Sequence, residues 1–495
     1  MMIIEQLKSK GITPIRLTAD SRRVQPGDVF VAFPGAHVDG RDFIAQAVAQ
    51  GAAAVLAEAN RSGATEVGAG DTVLVEVNGL AALSGEIAHL VYGRPSERLW
   101  VAGITGTNGK TSISQWIAQA MDGLGKRCAV VGTLGNGFVD ALAGSPNTTP
   151  DAITLHAALA GFVEHGAQAC AMEVSSIGLD QGRVNGVAFD VGVFTNLTRD
   201  HLEYHGSMEA YAAAKARLFA MPGLGAAVLN LDDPFGIELA QRLRGRLPTL
   251  GYTLGDAATA CDDVLRAEDL RMGAAGIEFE LRGVTIAAPV VGRFNASNLL
   301  AVAGALLSRG ESLDAIAGAL RGIHPPPGRM QALGGHGQPL VVVDYAHTPD
   351  AMEKVLGVLR EMATVRGGEL ICVFGCGGER DPGKRPQMGA IAERLADRVL
   401  VTSDNPRGED PQAIIDAILA GMKSAPLVQA ARDQAVATAI ATADARDVIL
   451  LAGKGHEPYQ EVAGTRHPYS DLDAAKSALA GPRSGVPGRQ SKARR

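Results

Sequence analysis

The run Gly106-Thr107-Asn108-Gly109-Lys110-Thr111 constrains this chain more than any other stretch. It follows Leu99-Trp100-Val101-Ala102, an apolar run with the character of a buried strand. Downstream, Ile113, Trp116, Ile117, Met121 and Leu124 recur with the period of one helix face. A glycine-rich loop therefore joins a strand to a helix N-terminus, where free backbone N–H groups and the helix dipole favour phosphate. In that setting Lys110 reaches the outer phosphates, the Thr111 hydroxyl holds Mg²⁺ and Ser112 continues the binding turn. The strict phosphate-loop pattern has a glycine where Ile104 stands, so the loop is a variant.

At 495 residues the chain has room for about two to four domains. Its net charge of −7 argues against a nucleic-acid partner, so an anionic substrate must be held by local Arg, Lys and loop amides. The cysteines Cys128, Cys170, Cys261, Cys372 and Cys376 have no metal-binding spacing and fit inert thiols in a reducing cytoplasm. The N-terminal residues do not form a signal peptide, and no apolar run is long enough to span a membrane.

The chain divides into zones. Residues 1–97 carry short strands at Asp28–Phe33, Ala53–Leu56 and Val73–Val77, a small α/β unit. Residues 98–327 hold the phosphate loop and end at His324-Pro325-Pro326-Pro327, a stiff connector that cannot continue a helix. Residues 328–480 alternate strands (Leu340–Val343, Leu370–Phe374, Val399–Val401, Val448–Leu451) with helical stretches, which indicates a parallel sheet. Residues 481–495 are rich in Gly, Pro, Arg and Ser, the composition of a disordered basic tail. The expected fold class is α/β in three domains: a small N-terminal α/β unit, a central phosphate-loop ATPase domain with a mainly parallel sheet, and a Rossmann-like C-terminal domain.

Several strands run straight into polar clusters: Met172 into Glu173-Val174-Ser175-Ser176, Phe194 into Thr195-Asn196, and Val343 into Asp344-Tyr345-Ala346-His347. The same holds for Phe374 into Gly375–Asp381, Val401 into Thr402–Arg407 and Leu451 into Ala452–Glu457. Ligands bind beyond the carboxyl ends of strands in open α/β sheets, so these clusters suggest two facing rims with a site between domains. Glu173 and the Asp200-His201 pair are oxygen and imidazole candidates around phosphate-bound Mg²⁺. Taken alone, His201 is a surface or capped histidine, Lys215 a solvated helix lysine, Ser21 a turn or cap residue, and Asp404-Asn405-Pro406-Arg407 a turn.

Together the motifs Gly106–Thr111, Met172–Ser176, Asn196–His201, Phe294–Asn298, Asp344–Asp350 and Gly453–Glu457 resemble the ATP-dependent Mur ligases. The resemblance runs in order from about residue 15 to residue 475. One departure is Ile177, where relatives often carry His after the Ser-Ser pair. The resemblance implies a cytoplasmic, monomeric ligase using ATP and Mg²⁺. ATP phosphorylates a D-glutamyl carboxylate, and an amino acid attacks the resulting acyl phosphate. The substrates implied are UDP-N-acetylmuramoyl-L-alanyl-D-glutamate and meso-2,6-diaminopimelate, in peptidoglycan synthesis.

Site roles follow from the same resemblance. Gly106, Thr107, Asn108, Gly109, Lys110, Thr111, Ser112, Asn298, Arg329 and His347 match the nucleotide site. Ala19, Ser21, Ala36, His37, Val38, Asn147, Thr148, Thr149, Ser175, Gln181 and Arg183 match contacts to the UDP-linked substrate. Lys110, Glu173, His201 and Lys215 match the catalytic set; Thr111, Glu173, His201 and Lys215 match metal ligands, with Lys215 carboxylated by CO₂ into an anionic oxygen donor. Arg385, Asp404, Asn405, Pro406, Arg407, Gly453 and Glu457 match the amino-acid site. In the family, Asp-Asn-Pro-Arg marks diaminopimelate addition over lysine addition. The chemistry agrees, because Arg407 offers a fork of donors to the distal carboxylate that lysine lacks. The rivals are a lysine-adding ligase, folylpolyglutamate synthetase, and a phosphate-loop regulatory NTPase without ligase activity.

Overall fold

The computed structural model describes residues 2–35, 38–59, 72–256, 261–273 and 276–481. Its centre is a nine-stranded sheet in the order Asp263–Arg266, Thr249–Thr253, Ala226–Asn230, Val191–Phe194, Trp100–Thr105, Ala169–Glu173, Cys128–Gly132, Gly135–Phe138, Ala141–Ala143. Pairing is parallel until the last two junctions, which are antiparallel. The strand leading into the phosphate loop is therefore central, three residues longer at its C-terminal end than the apolar run suggests, and covered on both faces. The helix Lys110–Gly123 presents Ile113, Trp116, Ile117 and Met121 to one of those cores, all at most 1% exposed. The helix Arg293–Ser308 packs on the same face.

A three-stranded antiparallel sheet, Glu268–Gly273, Gly276–Leu281 and Val284–Ala288, closes that core and is not anticipated by the sequence reading. Its signal is the alternation in Gly276–Leu281, where Ile277, Phe279 and Leu281 are buried and Glu278 is exposed.

The N-terminal sheet has the order Leu17–Thr18, Val29–Ala32, Ala54–Glu58, Val73–Val77, all parallel. Its helix Leu80–Val91 lies on the central helix Ala152–Glu164, so that Ile153 joins the N-terminal core. Gly85 lets the same helix meet the turn at Asn185: a Cβ there would sit 2.1 Å from the Asn185 carbonyl oxygen.

The C-terminal sheet has the order Gln331–Gly334, Leu340–Asp344, Val448–Ala452, Leu370–Phe374, Arg398–Val401, Leu427–Val428. The first pair is antiparallel and the rest parallel. The last long strand in sequence is inserted between Leu340–Asp344 and Leu370–Phe374, which brings Gly453–Glu457 beside Asp344–His347. Cores lie on both faces. A two-stranded hairpin, Tyr459–Val462 and Thr465–Pro468, stands outside the sheet. The expected basic tail lies outside the described residues from 482 onward. All the cysteines are free, and burial pushes the thiols of Cys170, Cys372 and Cys376 up to about 12, which makes them poor nucleophiles. Among the described residues no helix is long and apolar enough to cross a membrane.

Candidate active site

A cavity of about 1650 Å³ lies between the central and C-terminal sheets and contains the rims expected from the strand ends. The phosphate loop forms one wall. Gly106 has φ +143° and a Cβ would fall 1.8 Å from Thr195 Oγ1; Gly109 has φ +90° and a Cβ would fall 2.7 Å from Asn298 Oδ1. Neither position tolerates a side chain, by conformation or by space. The Asn196 side chain accepts from Asn108 N at 2.9 Å, and Thr195 Oγ1 donates to Asn108 O at 2.6 Å, so the neighbouring strand end clamps the loop. Asn298 sits mid-helix with its Oδ1 against Gly109 rather than capping a helix, and its Nδ2 donates to Asn295.

Lys110 Nζ donates to the carbonyls of Gly106 and Thr107 at 2.9 and 2.8 Å, curled over its own loop. Desolvation holds its pKa below the usual lysine value against the pull of Glu173 and Asp200. Lys215 is not a solvated helix lysine. It is 1% exposed, donates to Gly106 O at 2.8 Å and lies 4.2 Å from the Tyr211 ring centroid. Burial, with Lys110 adding to it, holds this amine well below its ordinary pKa.

Oxygen donors gather around Glu173. Thr111 Oγ1 and Thr133 Oγ1 each donate to Glu173 Oε2 at 3.0 Å, and Thr133 N donates to Oε1 at 2.9 Å. Arg329 Nη2 donates to Thr111 Oγ1 at 3.0 Å, and its guanidinium stands 4.4 Å from the Tyr345 ring. A second polar centre surrounds Asp200: His201 Nε2 at 3.4 Å, His347 Nε2 at 3.6 Å and Lys384 Nζ at 3.6 Å. Burial opposes the Asp200 charge, but His347, His201 and Lys384 outweigh it and hold the carboxyl well below the usual range. His201 adopts φ +54° and also faces Glu203 at 3.6 Å. Thus Thr111 and Glu173 are in contact, whereas His201 belongs to the Asp200 centre and Lys215 to the loop backbone. Among the described residues no His/Cys/Asp/Glu group of three or more converges as a metal cluster.

Ion pairs and hydrogen bonds join the lobes across the cavity. Arg199 grips Asp381 with two bonds of 2.7 and 3.1 Å, and Asn108 Nδ2 donates to Asp350 Oδ2 at 2.9 Å. Thr348 caps the helix that Pro349 begins, which aims Asp350 at the loop.

The proposed substrate wall is partly assembled. Asn147, Thr148, Ser175 and Arg183 line the cavity, as does Ile177. Thr148 Oγ1 is 3.1 Å from Thr133 Oγ1, and the buried Thr149 hydroxyl ties Glu173 O to Ser175. Exposed Gln181 stands behind Arg183, accepting two bonds from its guanidinium at 2.9 and 2.7 Å. Ala19, Ser21 and Val38 are on the N-terminal lobe and do not line the cavity. Ser21 Oγ donates to Gln46 at 2.9 Å, and the cap of that turn is Asp20. Ala36 and His37 lie outside the described residues.

The opposite wall gathers the Asp404–Arg407 segment and the Gly453–Glu457 loop. Asn405 Nδ2 donates to Glu457 Oε2 at 2.8 Å, and Arg407 Nη1 donates to Gly378 O at 2.6 Å. Arg407 has φ +53°, held by bonds from its N to Glu461 O at 3.1 Å and from Ala463 N to its O at 2.6 Å. The unforeseen hairpin therefore sets the Arg407 backbone. Pro406 and Arg385 are not on the cavity surface; Arg385 pairs with Glu409 at 2.8 Å. Gly453 needs to be glycine, with φ +109° and Asp404 Oδ2 only 2.8 Å from a Cβ. Behind this wall Arg432 and Asp471, both fully buried, pair at 2.7 Å, and Arg432 also donates to Ala452 O and Ser403 O at 2.8 and 3.4 Å. Thr133, Lys384, Lys454, Arg432 and the hairpin were missed, since none belongs to a local pattern that betrays its partner.

Comparison with known proteins gives a consistent picture. The Mur ligase family catalytic domain matches residues 16–92, the Mur ligase middle domain 104–306 and the Mur ligase glutamate ligase domain 328–455. UDP-N-acetylmuramoyl-L-alanyl-D-glutamate–2,6-diaminopimelate ligases from Ectopseudomonas mendocina and Pseudomonas aeruginosa are each 55% identical. The first alignment covers 95% of this chain and 96% of the relative, and the second 94% of each. A solved ligase of the same name is 37% identical at TM-score 0.64, covering 94% of both chains. The MurF ligase from Thermotoga maritima in complex with ADP shares the fold at 19% identity and TM-score 0.65, over 94% of this chain and 97% of that one.

Proposed function

This chain belongs to the Mur ligase family, and from that premise we propose that it joins meso-2,6-diaminopimelate to UDP-N-acetylmuramoyl-L-alanyl-D-glutamate at the expense of ATP, in peptidoglycan synthesis. The observation that carries the proposal is the opposition, across one cavity, of the phosphate loop and the Asp404–Arg407 and Gly453–Glu457 loops. We assign residues 1–97 to the UDP-linked substrate, 98–327 to ATP and 328–480 to the amino acid, and propose a cytoplasmic monomer.

A carboxylate is a poor acyl donor because its oxygen leaves badly. Transfer of the ATP γ-phosphoryl group to the D-glutamyl γ-carboxylate releases ADP and gives an acyl phosphate. The incoming amine attacks the acyl carbon, a tetrahedral intermediate forms, and inorganic phosphate departs as the amide is completed. The protein supplies position and charge. The loop amides and Lys110 hold phosphate; Arg183 orients the anionic substrate; Asn405, Arg407 and Glu457 orient the amino acid. The Arg199–Asp381 and Asn108–Asp350 contacts tie the two walls to each other across the cavity.

The Thr111, Thr133 and Glu173 oxygens form a hard donor set that fits Mg²⁺. When bound, Mg²⁺ neutralises phosphate charge. We further propose that Lys215 is carboxylated: its desolvated amine, kept well below the usual lysine pKa, adds CO₂ with loss of a proton, giving an anionic carbamate beside the phosphate loop. His201 and Asp200 would then order the same polar region.

The experiment is product analysis. Purified chain with the UDP-linked dipeptide, ATP, Mg²⁺ and diaminopimelate should yield the UDP-linked tripeptide, ADP and phosphate in equal amounts. ATP consumption without amide formation, or ligation of lysine alone, would overturn the proposal.

A further inference from the structure

Lys454 is fully buried in the amino-acid wall, and it is the cation among that wall's buried polar groups. Its Nζ stands 2.9 Å from Asn405 Oδ1, 3.2 Å from Glu457 Oε2 and 3.4 Å from Asp404 Oδ1, with the Tyr459 ring centroid at 5.8 Å. Asn405 in turn donates to that same Glu457 oxygen at 2.8 Å and accepts from Glu461 N at 2.9 Å. One ammonium therefore ties together both loops that form this wall. Burying a lone ammonium is costly unless its partners are well placed, so an aliphatic side chain would have been the simpler filler.

The charges have a definite sum. Lys454 and Arg407 are cationic, Asp404 and Glu457 anionic, so the wall is neutral as a group. Two neighbouring pairs cancel, Arg385 with Glu409 at 2.8 Å and Arg466 with Glu461 at 3.6 Å, while Arg380 on the cavity surface donates to the Glu379 carbonyl at 3.1 Å and adds a cation outside the two loops. A neutral wall with both signs displayed complements a side-chain end that is itself a zwitterion, ammonium beside carboxylate. It is a poor match for an end carrying an ammonium alone.

We infer that Lys454 is a specificity-determining positioning residue, whose buried charge balances Asp404 and Glu457 and thereby tunes the amino-acid site for a zwitterionic rather than a cationic distal group. The inference rests on the proposed diaminopimelate-adding activity. Without Lys454 the wall carries one net negative charge. It then draws a lysine-like cation and loses part of the balance that receives the distal carboxylate.

The test measures kcat/KM for meso-diaminopimelate and L-lysine in the wild type, Lys454→Met, Lys454→Gln and the double variant Lys454→Met with Glu457→Gln. Melting temperature and KM for ATP are read alongside. Both single variants should lower the diaminopimelate-to-lysine ratio by ~10-fold or more, the scale of one unbalanced charge at these distances, with KM for ATP unchanged. The glutamine variant is shorter but keeps a neutral polar donor, so it reports on charge even where methionine unfolds the loop. The double variant, neutral again, should recover part of the ratio. Equal losses for both amino acids, or no recovery in the double variant, would overturn the Lys454 inference while leaving the proposed function standing. A wild type that does not prefer diaminopimelate would overturn the functional reading, and this inference with it.

Discussion

Replacing Arg432 with Met should weaken the C-terminal lobe more than most single changes in this chain. The guanidinium makes bonds of 2.8 and 2.7 Å to the two Asp471 oxygens, and neither side chain is exposed. Among the described residues, Tyr469 OH donates the one other side-chain bond to Asp471, at 2.8 Å. Arg432→Met thus strands a carboxylate in the interior, which typically costs about 3–5 kcal/mol. For a cooperative unit of some 150 residues, each kcal/mol is worth roughly 2–4 °C, so the lobe should melt about 6–20 °C lower. The carbonyls of Ser403 and Ala452 also lose their donor, directly before Asp404 and Gly453. KM for the amino acid should therefore rise while KM for ATP holds. Calorimetry of the full chain with a substrate titration measures both. Pairing the change with Asp471→Leu should return most of the lost stability, since two apolar partners replace an ion pair at little net cost. A single variant within about 2–4 °C of wild type, or a double variant no more stable than the single, would refute the argument.

Three further outcomes are expected. Lys110→Ala should abolish ligation with the melting temperature little changed, because a charged contact to the transferring phosphoryl group is worth several kcal/mol in the transition state; near-normal turnover would remove the phosphate-loop assignment. Lys215→Ala should be nearly inactive and partly rescued by a small carboxylate, while wild-type activity follows bicarbonate; mass spectrometry under CO₂ trapping checks the carbamate, and full activity of the variant would sink it. Arg407→Ala should lose kcat/KM for diaminopimelate about a hundredfold or more and change the weak lysine rate much less, since only diaminopimelate brings a distal carboxylate to the guanidinium. Equal losses would mean that Arg407 shapes the loop without reading that carboxylate.

Local pattern made much of this molecule legible. The phosphate loop, its strand and its helix follow from glycine chemistry and apolar period, and Glu173, Asp344 and Asp404 were visible as polar residues at the ends of apolar strands. Family resemblance then supplied roles for Lys215 and Arg407 that spacing alone would have given to a solvated lysine and a turn. Even so, the burial of Lys215 could not be read from an alanine-rich helix, Met208–Ala216, whose period carries almost no apolar stripe.

What the chain determines by itself is which segments become strands, helices and turns, because hydrophobic period, caps and glycine φ act over a few residues. Tertiary structure alone decides which of those segments meet. Thr133 reaches Glu173, Lys454 reaches Asn405, Arg432 reaches Asp471, and the Tyr459–Pro468 hairpin holds Arg407 in a left-handed turn. Each pairing spans tens of residues and exists because strand order sets loops side by side. The inserted position of Val448–Ala452 is a property of the sheet that no window of sequence contains. A buried charge is tolerated only where its partner already stands, and its partner is brought there by the packing of both faces of that sheet.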